Sequence, residues 1–281
     1  MAAHRLSRER RRRGVRKLAP GRPLWEQVMD GLYRGWSPEQ IAGRMRKMHS
    51  EEPAQRVSHE TIYAALYALP RGELRKALLG QLRQGQAGRR PRGRGKDRRG
   101  GLVDMTSLHE RPAEAEGRQV PGHWEGDLIK GASNRSAVGT LVERKSRYVV
   151  LARMRDTGAE AALEAFTRHF RRVPACVRKT LTYDQGKEMA RHKDLARRLR
   201  IRVYFADPHS PWQRPSNENA NGLIREYLPK GMDLSGVSQA ELNRIARLLN
   251  DRPRRCLDFE TPAEVFQRDI LNSKCSVALQ I

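Results

Sequence analysis

The sequence predicts an α/β fold, a mixed sheet with helices on both faces, preceded by a small all-α helical domain. Three observations predict it. From residue 118 on, strand-like and helical patterns alternate behind one hairpin. Residues 21–80 carry only helix-period apolar spacing. A basic Gly/Arg-rich stretch with almost no apolar side chains separates the two. At 281 residues, the chain can bury a real core in one large domain or two modest ones.

Residues 1–20, opening "MAAHRLSRERRRRGVRK", form a basic arm with no apolar segment behind it, unlike a secretory signal. The arm is expected to order only on meeting phosphate. In residues 21–80, Leu24, Val28 and Leu32 recur every fourth position and define a first helix. Ser37-Pro38-Glu39-Gln40 is a capping box with proline at the first helical position. It starts a second helix whose inner face is Ile41, Met45 and Met48. Ser58 caps a third, turning Ile62, Leu66 and Leu69 inward and leaving His59, Thr61, Tyr63 and Tyr67 at or outside the edge. Three short helices with a turn before the last predict a helix-turn-helix whose final helix enters the major groove, with His59, Thr61 and Tyr63 as candidate contacts. Any small three-helix bundle shares this periodicity. The surrounding charge favours DNA.

Residues 81–117 read as a linker, since "QGQAGRRPRGRGKDRRGG" cannot offset its ordering cost by burial; Arg89, Arg90 and Arg92 are suited to track a phosphate backbone. Residues 118–270 form the α/β domain. "HWEGDLI" reads as a strand, and "AVGTLVE" and "RYVVLA" as a hairpin around Arg144-Lys145-Ser146. "GAEAALEAFTRHF" is a helix with Leu163, Phe166 and Phe170 on one face. "KTLTYD" is a strand, "KEMARHKDLARRL" a helix and "IRVYFAD" the last strand. Further helices start near Ser216, at the capping box Ser238–Glu241, and at Thr261-Pro262. Residues 271–281 are a tail.

The formal charge is +24, from 56 Lys+Arg against 32 Asp+Glu. Arginine forks match phosphate oxygens, so a polyanionic partner is expected, double-stranded DNA above all. No stretch approaches the roughly 20 apolar residues of a membrane span. Cys176, Cys256 and Cys275 lie far apart without a CxxC pair, which argues against a zinc site and against a disulfide framework. A cytosolic location is expected.

Asp127 in "HWEGDLI" and Asp184 closing "TLTYD" sit at strand ends, where ligand chemistry collects in open α/β sheets. Glu218, at the mouth of the helix in "SNENANGLI", is either a first-turn acid favoured by the helix dipole or the third arm of a metal site. Three carboxylates suit Mg²⁺, a hard ion that takes oxygen ligands and keeps waters, with Mn²⁺ as substitute. Two such ions about 3.5–4 Å apart serve phosphodiester cleavage. Glu125, two residues before Asp127, shares its strand face and is the substitute ligand. Glu188 reads as a solvated first-turn acid and Asp207 as a turn residue. Trp212 suits base stacking or loop packing. Arg225, seven residues after Glu218, and Lys230 are candidate phosphate contacts. His123 and His209 read as structural.

"GHWEGDLI", "LTYDQGKEMA", "HSPWQRPSNENANGLIREYLPKG" and "RPRRCLDFETPAEVF" resemble the signature blocks of DDE transposases of bacterial insertion sequences, most of all the IS-thirty family. "SPEQIAGRMR" and "VSHETIY" resemble its DNA-binding part, so the resemblance covers nearly the whole chain. It implies a ribonuclease-H-like catalytic domain with the triad on Asp127, Asp184 and Glu218, and thereby favours the metal arm for Glu218. It also implies two Mg²⁺ ions, terminal inverted repeats and target DNA as partners, cleavage followed by strand transfer, and a homo-oligomer on DNA. Two departures stand out. Pro215 occupies a position that is usually glycine, and a further helix-turn-helix segment usually precedes the part seen here, so a short or truncated form is expected. The rival expectation is a non-catalytic DNA-binding protein that competes with a full-length transposase.

Overall fold

A computed structural model describes residues 17–70, 72, 75–76 and 104–273. The basic arm, Arg89, Arg90, Arg92 and most of the linker and tail lie outside the described residues. The chain divides into two compact units, residues 1–89 with 252–259, and residues 90–251 with 260–281.

The first unit holds α1 (Pro23–Tyr33), α2 (Pro38–Met48) and α3 (His59–Tyr67). The capping box at Ser37 is formed in both directions, and the Ser58 hydroxyl accepts from the Thr61 amide. Val28, Leu32, Ile41, Met45, Ile62 and Leu66 close one core. Met48, expected on the inner face, is 62% exposed because α2 ends there. Segment 252–259, with a single tight turn at Arg255–Leu257, completes this unit. A Cβ on Gly43 of α2 would lie 2.3 Å from the Phe259 ring, so only glycine admits that approach. Lys47 pairs with Asp258 at 2.9 Å and Arg255 with Glu39 at 3.2 Å.

The second unit is built on five strands, β1 (His123–Lys130), β2 (Ala137–Glu143), β3 (Val149–Arg153), β4 (Thr180–Tyr183) and β5 (Arg202–Phe205), in the order β3-β2-β1-β4-β5. β1, β2 and β3 are antiparallel neighbours, whereas β4 runs parallel to β1 and β5 parallel to β4. Among the described residues, five helices cover it: α4 (Ala159–Phe170), α5 (His192–Leu199), α6 (Pro215–Ile224), α7 (Gln239–Asn250) and α8 (Pro262–Asn272). The helix expected over "KEMARHKDLARRL" is shorter than its pattern: residues 187–189 form a single tight turn and α5 starts only at His192.

Strand alternation sorts the two faces. Trp124, Leu128, Leu141, Leu181 and Tyr183 pack with Phe166 and Phe170 of α4, Leu195 and Leu199 of α5, and Phe266 of α8. Ile129, Val138, Val142, Val149 and Leu151 pack on the other face with Leu223 and Ile224 of α6 and Leu242, Ile245 and Leu249 of α7. Burying each such side chain contributes about 1.5–3 kcal/mol against the entropy of ordering it. Gly126 is required on the first face, since a Cβ there would meet the Tyr183 ring at 2.7 Å. No described helix is long and apolar enough to cross a membrane. Cys176 is disulfide-bonded, contrary to the expectation from cysteine spacing.

Candidate active site

By strand alternation Asp127 points to the face covered by α6 and α7, the face of its neighbour Ile129. The parallel register pairs Glu125 with Thr182, and its continuation by two residues sets Asp184 beside Asp127. One guanidinium spans the pair. Arg214 reaches Asp184 Oδ2 at 3.3 Å and Asp127 Oδ2 at 3.8 Å, and donates to the Gly126 carbonyl at 2.9 Å. The Asn221 amide donates to Asp127 Oδ2 at 2.8 Å, and the Leu128 N–H to Asp127 Oδ1 at 2.8 Å. Burial pushes the Asp127 carboxyl up from 3.8 to about 6. Arg214 opposes that rise, and the charges of Asp184 and Glu188 add to it. The Tyr183 hydroxyl, fully buried beside the same acids, is raised well above its ordinary value.

Glu218 lies in the first turn of α6, on the same side of the sheet as Asp127. The start of that helix is fixed by the sheet, for Arg214 at its N-cap makes no side-chain cap. Instead, Glu125 accepts from the Asn217 N–H at 2.9 Å, Thr140 donates to Asn217 Oδ1 at 3.1 Å, and Arg147 bonds the Ser216 hydroxyl. Glu125 is wholly buried and also pairs with Arg144 at 3.1 Å. The reading of Glu125 as a substitute metal ligand therefore fails, because one oxygen accepts from the Asn217 N–H and the other faces the Arg144 guanidinium in a buried ion pair. Glu188 is buried too, which corrects its reading as a solvated acid. Glu218 itself is exposed, and no three acidic, His or Cys side chains among the described residues stand close enough together to hold a metal ion.

The donor set nonetheless fits a hard divalent ion. Asp127 on β1 and Asp184 just past β4 share one guanidinium, a third acid follows on the covering helix, and Asn221 Oδ1 is buried with no hydrogen-bond partner. Asp127, poorly solvated and flanked by like charge, favours a cation beside it.

Trp212 is 70% exposed on the loop before α6. It lines a pocket of about 380 Å³ together with Arg111, Arg118, Arg144 and Pro215. Asp207 clamps that loop through Gln213, at 2.7 Å in both directions, and through His109 at 3.0 Å. Arg225 caps the end of α6, donating to the carbonyls of Lys130 at 2.9 Å and Leu228 at 3.3 Å. Lys230 is exposed. His123 is buried against Thr180, and burial lowers it to about 4; His209 holds a left-handed turn. On α3, His59 is exposed beside Glu60 at 3.2 Å, the Thr61 hydroxyl is engaged by Ser58 at 2.8 Å, and Tyr63 stacks near Tyr67. Sequence reasoning missed Arg214 and Asn221. Asn221 could have been found, since it falls three residues after Glu218 on one helical face.

The mixed sheet thus carries Asp127 on β1, Asp184 just past the end of β4 and Glu218 on the covering helix α6. Residues 117–211 match the integrase core domain family. The chain is 53% identical over 270 residues to the transposase for insertion sequence element IS1086 of Cupriavidus metallidurans, covering 96% of this chain and 80% of that one. It is 42% identical to the transposase InsI for insertion sequence element IS30A of Escherichia coli, over 88% of this chain and 65% of that one. It is 34% identical to the transposase for insertion sequence element IS4351 of Bacteroides fragilis, over 98% of this chain and 82% of that one. The catalytic core domain of BIV integrase overlays 53% of this chain and 96% of its own length, with a TM-score of 0.42 and 19% identity. The chain belongs to the IS30 family of insertion-sequence transposases. Its fold is accordingly the α/β ribonuclease-H-like one that the sequence led us to expect, with a helical unit in front.

Proposed function

We propose that this chain binds the terminal inverted repeats of its own element and catalyses metal-dependent cleavage and transfer of DNA strands. Asp127, Asp184 and Glu218 would hold one or two Mg²⁺ ions, or Mn²⁺ in their place. The carrying observation is that Asp127 on β1 and Asp184 just past β4 share the Arg214 guanidinium, with α6 starting over the same sheet face. A bound divalent ion would supply charge neutralisation at the phosphate and a more acidic attacking oxygen. The chain's own contribution is positioning. Glu125, Thr140 and Arg147 hold the first turn of α6 against the sheet, and Asn221 fixes the rotamer of Asp127. Water would open the strand to a 3′-hydroxyl that attacks a second phosphodiester, with no covalent protein–DNA intermediate.

The DNA strand would run over the Trp212 pocket, where the exposed indole stacks on a base and Arg118 at the rim faces phosphate. Residues 21–80 would read the repeat through α3, with His59, Thr61 and Tyr63 towards the groove. Arg89, Arg90, Arg92, Arg225 and Lys230 would carry backbone contacts. Joining paired ends calls for a homo-oligomer on DNA, acting in the cytosol.

The test is a strand-cleavage assay on a repeat-bearing oligonucleotide with Mg²⁺. Glu218→Gln should abolish cleavage and leave repeat binding nearly intact, while Glu188→Gln retains most activity. A dead Glu188→Gln beside an active Glu218→Gln would replace the third ligand with the buried acid next to Asp184.

A further inference from the structure

Resting on the metal reading of Asp127 and Asp184, we infer that Arg214 is an internal counter-ion. It occupies the space between the two carboxylates in the metal-free protein and must be displaced from them when a divalent ion enters.

The geometry points there directly. All four oxygens of the pair are committed to protein donors. Asp127 Oδ1 accepts from the Leu128 N–H, and Asp127 Oδ2 from Asn221. Asp184 Oδ1 accepts from the Gly186 N–H at 3.3 Å, and Asp184 Oδ2 from Arg214 at 3.3 Å. Of these donors only Arg214 is charged, and it alone touches both acids. Its side chain is 11% exposed, against 24% for Asp127 and 42% for Asp184, so it sits deeper than the groups it joins. The same amino group that faces Asp127 is anchored on the Gly126 carbonyl, the residue just before it. Nε is buried without a partner. A buried guanidinium with an orphaned Nε is poorly compensated for its own desolvation, so the two carboxylates are what retains it.

Two acids and one arginine leave a net charge of −1 at the pair, where two acids alone would leave −2. A divalent ion therefore meets a half-neutralised site whose inner oxygens are shared with a competitor of the same sign. Loss of the arginine should have two opposite effects. The metal-free protein becomes less stable, because the acids repel without their counter-ion. The metal binds more tightly, because nothing has to be displaced and the attracting charge has doubled. A residue with a merely structural role would not produce the second effect, since a damaged site loses metal affinity.

The experiment is calorimetric titration of the metal-free 281-residue chain with Mn²⁺, alongside thermal melts in EDTA and in saturating Mn²⁺. Arg214→Gln keeps a donor for the Gly126 carbonyl and removes the charge. It should bind Mn²⁺ about tenfold more tightly than the unmodified protein, more so at low salt, as expected for one unit charge removed at close range. Its melting temperature should fall in EDTA and recover by a larger margin on adding Mn²⁺. Arg214→Lys, which keeps the charge, should stay within about twofold of the unmodified protein. If the glutamine variant does not fold, Arg214→Met carries the same expectation. Unchanged or weaker Mn²⁺ binding by the charge-free variant overturns the counter-ion role. Failure of the underlying metal reading is a different result: Asp184→Asn would then bind Mn²⁺ as well as the unmodified chain does.

Discussion

Asp127→Asn should stabilise the metal-free protein near neutral pH while removing its activity. The carboxyl is raised from 3.8 to about 6 in the fold, chiefly by burial. Between those values the folded chain holds a proton that the unfolded chain has released. Stability is therefore lost as pH rises through that window, and above about pH 6 the full cost of ionising Asp127 is present. About two pH units correspond to ~3 kcal/mol. The side chain retains 24% exposure, so solvent screening reduces the expected cost to ~1–2 kcal/mol. Asparagine escapes that cost and keeps the local bonds. Its carbonyl still accepts from the Leu128 N–H, and a flip of Asn221 offers the presently unpaired Oδ1 to the new amide. In EDTA at pH 7.5 the variant should melt about 2–8 °C higher for a domain of this size. Near pH 4, where the native carboxyl is already protonated, the advantage should shrink towards zero. A variant less stable than the parent at pH 7.5, or a gain that does not change with pH, refutes the reasoning.

Three further outcomes follow from other parts of the structure. Glu125→Gln leaves the buried Arg144 guanidinium uncompensated and should cost about 3 kcal/mol in denaturant melts; the double change with Arg144→Met should recover most of it. Gly43→Val drives a side chain into the Phe259 ring, 2.3 Å from the position of a Cβ, and should lower stability by about 1–3 kcal/mol or more. Binding of the full chain to repeat DNA should weaken steeply as salt rises from 50 to 200 mM, on the order of 10³-fold if six or more phosphates are contacted. A flat titration would count against phosphate recognition, and His59→Ala should narrow the gap between repeat and random duplex.

Local order in the sequence carried much of this fold. Alternation placed β1 and β4, and the spacing of Leu163, Phe166 and Phe170 gave the buried face of α4. Cap chemistry marked the starts of α2, α7 and α8, since a serine or threonine followed by an acid or amide acts within one turn. Where partners come from far along the chain, the same reasoning faltered. Glu188 looked like a solvated first-turn acid, yet residues 187–189 form only a tight turn and its carboxylate folds back over Gly186. Glu125 looked like a spare ligand, but its partners, Arg144 and Asn217, belong to other elements. Arg214 had no signal at all. It follows the Pro-Trp loop without periodicity, and only the register of β1 against β4 brings two aspartates to it.

The helix carrying Glu218 opens on Pro215 but has no side-chain cap of its own, and Glu125 provides one from β1. With Glu218 in the proposed role, competence for chemistry would come late in folding. The third acid would acquire its place only after the central strands had paired, and the Asn217 amide would report that moment. In native-state exchange it should open together with Glu125's strand when the whole unit unfolds. If it opened earlier, the population in which it is free would be folded protein with its catalytic helix undocked, a state able to occupy DNA without cutting it.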